Sequence, residues 1–177
     1  MNREIRSPAV LLHLRRYSES SLITEWWTRD HGLLHTIARG ALRPRQPSFP
    51  GLDVLQSGEI NARLNTRSRL HTLTEFSPIR CHPEIAADYP RFLAAAYAFE
   101  LIRHYVEPES PIPELYDLLT RFLDFLSTHP VQPPHITRLE QRFFSLLGWG
   151  DRPDDHQLHP RKLPAYLALQ KSFPDRG

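Results

Sequence analysis

The 177-residue chain has one cysteine, Cys81, and only two lysines, Lys162 and Lys171. A single thiol excludes an internal disulfide framework and every zinc pattern built on several cysteines, so Cys81 reads as structural. Apolar runs such as Phe92 to Phe99 fall well short of the ~20 residues that a membrane helix needs. The start, Met1-Asn2-Arg3-Glu4, lacks the apolar segment of a signal peptide, and a cytoplasmic location is expected. There is no Gly-Lys pair for a phosphate loop, no Gly-x-Gly-x-x-Gly turn and no Gly-x-Ser-x-Gly elbow. The carboxylates are scattered over faces that helices and turns ordinarily expose, so no acid and base pair can be recognised. Neither an enzyme nor a cofactor is expected.

What remains is a composition of 40% hydrophobic and 24% charged residues, enough for a real core in one medium domain or two small ones. The net charge of +2 conceals a division. Residues 1 to 80 hold twelve arginines against seven carboxylates, whereas residues 81 to 177 are net acidic. Guanidinium makes bidentate contacts to phosphate and stacks on bases, which suits nucleic acid, although genomic base composition also favours arginine over lysine.

The first eighty residues read as short strands between turns. Ala9 to Leu14, Leu22 to Thr28 and Leu33 to Ala38 are rich in β-branched, aromatic and aliphatic residues, with Asp30-His31-Gly32 as a tight hairpin turn. Leu52 to Leu64, with Gly58 at a bulge, and Leu70 to Phe76 supply two more. Five strands with no intervening helix predict a small barrel or sandwich. Arg39 to Gly51, with three prolines, is a loop.

After Pro78 the period changes to about 3.6. Asp88 and Pro90 open a helix with Phe92, Leu93, Ala96, Phe99, Ile102 and Tyr105 on one face. Ser110-Pro111 opens a second, and Pro133-Pro134 a third that Gly148 closes. Leu163 to Phe173 supplies one last short helix. The expected fold class is α+β, a small barrel or sandwich over residues 1 to 80 followed by a helical bundle over 81 to 177.

Arginines cluster at strand ends: Arg15 and Arg16 after the first strand, Arg39, Arg43 and Arg45 in the long loop, Arg67 and Arg69 before the fifth. In a small barrel such positions can gather into one groove that follows a phosphate backbone. Trp26 and Trp27 point to opposite faces of their strand. The outward ring either stacks on a base or packs beneath the helical half, and packing is favoured. Asp154, Asp155, His156 and His159 crowd one polar segment, read as a solvated loop in preference to a metal site.

Val10-Leu11-Leu12, Tyr17-Ser18-Glu19-Ser20-Ser21-Leu22, Thr28-Arg29-Asp30-His31-Gly32-Leu33-Leu34 and Ile37-Ala38-Arg39-Gly40-Ala41 together resemble the opening of the bacterial RecO recombination mediator family. The resemblance continues through Leu70 to Glu75, Asp88 to Tyr105, Pro113 to Leu119, Arg138-Leu139-Glu140 and Leu146-Leu147-Gly148-Trp149-Gly150. It implies an OB-type barrel followed by a helical domain, in a nucleoid-associated protein of DNA repair and recombination. It also implies binding of single-stranded and double-stranded DNA, strand annealing, and recombinase loading with RecR and single-strand-binding protein as partners. The family's basic Ala-Arg-Gly segment falls on Arg39, with Arg43 and Arg45 beyond it. Arg138 and Arg142 are the nearest candidates for basic neighbours of the groove that receives the acidic, aromatic-ended tail of single-strand-binding protein. Where many members have zinc-ribbon cysteines, this chain has Asp151-Arg152-Pro153-Asp154-Asp155, so no zinc is expected. The rival expectation is a protein-binding adaptor whose barrel has lost DNA binding.

Overall fold

A computed structural model of the chain describes residues 3–150 and 160–173. Two units emerge, residues 1–81 with 106–113, and residues 82–105 with 114–177.

The first unit is built on β1 (Arg3–Arg16), β2 (Leu22–Thr28), β3 (Gly32–Ala38), β4 (Ser57–Leu64) and β5 (Leu70–Arg80). They close into a barrel in the order β1-β2-β3-β5-β4, as in an OB-type fold, so no strand edge is left open. All neighbours are antiparallel except β3 and β5. β1 serves two partners: Arg3 to Val10 pair with β4, and Ala9 to Arg16 with β2. A register shift between Leu11 and His13 lets the strand bend from one to the other.

Alternation decides what fills the barrel. Ile5, Ala9 and Leu11 of β1, Leu22 and Trp26 of β2, and Leu34 and Ala38 of β3 form the interior with Ile60, Ala62, Leu73, Phe76 and the loop residue Phe49. The polar atoms among them are satisfied. Trp26 Nε1–H donates to Thr24 Oγ1 at 2.9 Å, and the Thr24 and Thr36 hydroxyls lie 2.7 Å apart. β1 begins six residues before the apolar run that announced it, because Arg3, Glu4 and Arg6 occupy only the exposed positions.

Gly58 stands at a register shift between β4 and β5, as its bulge reading anticipated. A Cβ there would meet the Ser77 carbonyl oxygen at 2.2 Å, so this position needs glycine for close backbone approach. Gly32 ends the predicted hairpin turn with φ +71°, where a side chain would strain the backbone and strike Ser110. Residues 106–113 belong to the barrel unit through such contacts: Leu33 bridges Pro108, and His71 Nε2 lies 3.2 Å from Glu109 Oε1. His71 Nδ1 accepts the Asn65 N–H at 3.0 Å, which leaves Nε2–H to donate to Glu109.

The second unit contains α1 (Pro83–Ala86), α2 (Tyr89–Tyr105), α3 (Pro113–Thr128), α4 (Pro133–Leu146) and α5 (Pro164–Ser172). Proline stands in the first turn of α1, α4 and α5, where its missing N–H costs nothing. Asp88 accepts the Arg91 N–H at 3.1 Å at the start of α2. Gly148, with φ +77°, follows α4 in the left-handed conformation that ends helices. The sequence pattern gives α2 one apolar face, but Leu93, Ala94, Ala95, Tyr97, Ala98, Phe99, Leu101 and Ile102 are all buried while Phe92 is partly exposed. Its alanines present no polar side, and neighbours pack around it. α5 lies along it, capped where Glu100 accepts the Ala165 N–H, and Tyr97 donates to Glu140 of α4 at 2.6 Å. Burial, then the charge of Glu140, pushes the Tyr97 phenol far up, so it remains the donor.

Candidate functional site

Register places the strand-end arginines without further assumption. Arg16 pairs with Leu22, Leu22 with Ala38, and Arg39 follows Ala38, so the end of β1, the start of β2 and the end of β3 share one end of the barrel. The Leu42 N–H donates to the Ser20 carbonyl at 3.0 Å and ties the long loop to the β1–β2 loop. Arg15, Arg16, Arg39, Arg43 and Arg45 therefore collect there, all exposed. Arg16 donates to the Ser18 and Glu19 carbonyls at 3.1 and 3.3 Å, which holds its loop without neutralising its charge. Among the described residues none of these five forms a salt bridge.

Arg67 and Arg69 go elsewhere. β5 runs parallel to β3, and Leu70 pairs with His35, so the residues before Leu70 lie towards the end where β3 begins. The outward residues of β2 and β3 between the two ends, Ile23, Trp27, Leu33 and Ile37, are buried. The single groove expected from all seven arginines is thus divided into a cluster of five and a pair. Trp27 is 0% exposed, so it offers no stacking surface. Burial, helped by the charge of Arg3 and opposed by that of Asp30, holds the pKa of the His31 imidazole below its usual value.

Two arginines on the strand walls are paired with carboxylates. Arg63 donates to Glu4, directly across the β1–β4 ladder, at 3.0 Å, and Arg6 pairs with Glu59.

A second basic surface lies within the helical unit. Leu118, Arg121, Phe122 and Phe125 of α3 and His135, Arg138, Leu139 and Arg142 of α4 line a groove of about 280 Å³. Its floor is apolar and its rim carries three guanidinium groups, none in a salt bridge among the described residues. Phe125 is fixed between two imidazoles, stacked on His129 at 4.8 Å and edge-on to His135 at 4.7 Å. The structure brings the expected Arg138 and Arg142 together here and adds Arg121. The helical spacing of Arg121 and Phe125 places both on one face, but the sequence does not reveal that α4 lies beside them.

Among the described residues no group of three or more His, Cys, Asp or Glu is placed to hold a metal ion, and no helix is long and apolar enough to cross a membrane. Asp154, Asp155, His156 and His159 lie outside the described residues.

Two family models match the chain in succession: the N-terminal domain of recombination protein O over residues 1–82, and the C-terminal domain over residues 86–154. A DNA repair protein RecO from Actinobacillus pleuropneumoniae serotype 7 (strain AP76) is 30% identical over 143 residues, 79% of this chain and 57% of that protein. One from Syntrophus aciditrophicus (strain SB) is 29% identical over 149 residues, 84% of this chain and 58% of the relative. Another, from Polynucleobacter asymbioticus (strain DSM 18221 / CIP 109841 / QLW-P1DMWA-1), is 29% identical over 174 residues, 96% of this chain and 69% of the relative. The chain spans less than two thirds of the length of the first two of these relatives.

Proposed function

Because the chain belongs to the recombination protein O family of DNA repair proteins, we propose that the arginine-bearing end of its barrel is a DNA-binding surface serving strand annealing and recombinase loading. The observation that carries this reading is the convergence of Arg15, Arg16, Arg39, Arg43 and Arg45 on one exposed end with no carboxylate partner among the described residues. Solvated guanidinium groups without carboxylate partners, at the end of β1 and on the long loop tied to it, can follow a phosphate backbone and displace its counterions. The work asked of the protein is binding without chemistry. Phosphate contacts fix a strand while leaving its bases free to pair, since they carry no base information.

The groove between α3 and α4 suits a different ligand. An apolar floor rimmed by Arg121, Arg138 and Arg142 fits an acidic peptide ending in an aromatic residue, which supports the tail of single-strand-binding protein as its occupant. RecR is the further partner that family membership suggests. The adaptor reading draws on one specific observation: Arg6 and Arg63 are spent on Glu59 and Glu4, which lowers the barrel's free charge.

Titration of single-stranded DNA at several salt concentrations decides between them. With about four phosphates contacted, log K falls against log salt with a slope near −3, about −0.7 for each phosphate. Replacing Arg39, Arg43 and Arg45 by alanine removes up to three contacts, weakens binding on every sequence alike and brings the slope to about −1. Binding that ignores salt, or a triple variant that binds as the parent does, would leave the adaptor reading standing.

A further inference from the structure

The arginine-bearing end also carries an exposed aromatic ring that nothing in the fold uses. Tyr17 is 60% exposed, in the loop between β1 and β2, directly after Arg15 and Arg16. Its side chain has no hydrogen-bond partner or ring contact among the described residues, so it neither caps a strand nor fills a gap. Its backbone is nonetheless fixed: the N–H groups of Tyr17 and Ser18 donate to the Ser21 carbonyl at 3.0 and 3.3 Å, and the Arg16 guanidinium spans Ser18 and Glu19. Ser20 of the same loop accepts the Leu42 N–H, which docks the segment bearing Arg39, Arg43 and Arg45. A ring on a hydrogen-bonded loop is thus presented to solvent at the end of the barrel that carries five arginines without carboxylate partners.

Resting on the DNA-binding reading above, we infer that Tyr17 is the stacking platform that makes this end of the barrel prefer single strands. Guanidinium groups contact phosphates of single and double strands alike. A π-face discriminates, because only an unpaired base can leave its neighbours and lie flat on a side chain. The fixed loop lowers the ordering cost of that contact. Trp27, the larger aromatic of the strand face, is buried and unavailable, which leaves Tyr17 as the exposed ring beside the arginines. Stacking uses the ring and not the hydroxyl, so phenylalanine can replace tyrosine.

The test compares the full chain with Tyr17→Ala and Tyr17→Phe, measuring fluorescence anisotropy of a labelled oligothymidylate and of a mixed-sequence duplex across a salt series. Tyr17→Ala should weaken single-strand binding about 5- to 100-fold and leave the duplex within about twofold. The salt slope should stay the same, because stacking releases no counterions. Tyr17→Phe should bind as the parent does. The inference is overturned if Tyr17→Ala binds the oligothymidylate like the parent, weakens both DNAs equally, flattens the salt slope, or is matched by Tyr17→Phe. A parent chain that binds neither DNA overturns the DNA-binding reading and this inference with it, a result distinct from parent binding that Tyr17→Ala does not alter.

Discussion

Two surfaces of this protein are rimmed by arginine, one on each unit, and they differ in what lies between the arginines. At the barrel end the cations stand at the close of β1 and on the long loop, interrupted by Gly40, Ala41, Leu42 and Pro44, with the Tyr17 ring exposed beside them. In the helical groove three guanidinium groups border a floor of Leu118, Phe122, Phe125 and Leu139. A polyanion needs positive charge along a track and little apolar contact, whereas a short acidic peptide gains most of its affinity by burying a hydrophobic end. The arginine count alone does not distinguish the two surfaces; what lies between the arginines does.

Charge reversal at one surface should therefore leave the other untouched, and this is the largest effect expected. Arg138→Glu with Arg142→Glu places two like charges against an acidic, aromatic-ended peptide. Binding measured by anisotropy should fall by at least about tenfold. DNA affinity of the same variant should stay within about twofold of the parent. An equal loss at both surfaces would show that they form one site and would break the comparison.

A smaller effect distinguishes how the two surfaces are supported. The barrel end depends on strand registers that closure imposes, and Gly58 sits where the β5 backbone leaves no room for a Cβ. Gly58→Ala must push the Ser77 carbonyl away, at a cost of about 1 to 3 kcal/mol, read as a lower midpoint in denaturant. DNA binding by the fraction that remains folded should be unchanged, because no DNA candidate touches this position.

Much of the fold was legible because it is written in local patterns. Runs of β-branched, aromatic and aliphatic residues between turns marked β2 and β3, prolines marked the openings of α2, α3 and α4, and Gly148 marked the end of α4. β1 was half hidden, since Arg3, Glu4 and Arg6 give its first turn of alternation the look of a charged tail. The site was less legible for a different reason. Arg39 and Arg67 look equivalent in sequence, each beside a strand end, and only the parallel pairing of β3 with β5 sends them to opposite ends. No short-range signal carries that pairing. Likewise Phe122 and Phe125 read as one continuous core stripe. The packing of α4 beside α3 leaves Phe125 partly exposed, as a groove wall with Arg121 above it. Residues 106–113 return to the barrel through Glu109 and His71, a contact between positions 38 apart with no periodicity to announce it.

The smallest expected effect concerns arginines that sequence charge would add to the proposed DNA-binding surface and the register removes. Glu4 and Arg63 face each other across the β1–β4 ladder, both largely exposed, and such a pair contributes only about 0.2 to 1 kcal/mol, less at high salt. Arg63→Gln should therefore lower stability by no more than that amount. It should leave DNA affinity and its salt slope as in the parent, because a guanidinium held by a carboxylate is not free to neutralise a phosphate and so releases no counterion from the DNA. Glu4→Gln makes the stricter comparison, since it frees Arg63 without moving it. If the freed cation lies on the path of the strand, the salt slope should steepen by about 0.7. If the strand keeps to the loop end of the barrel, where Arg39 and its neighbours stand, the slope should not change, and an unchanged slope is the expected result.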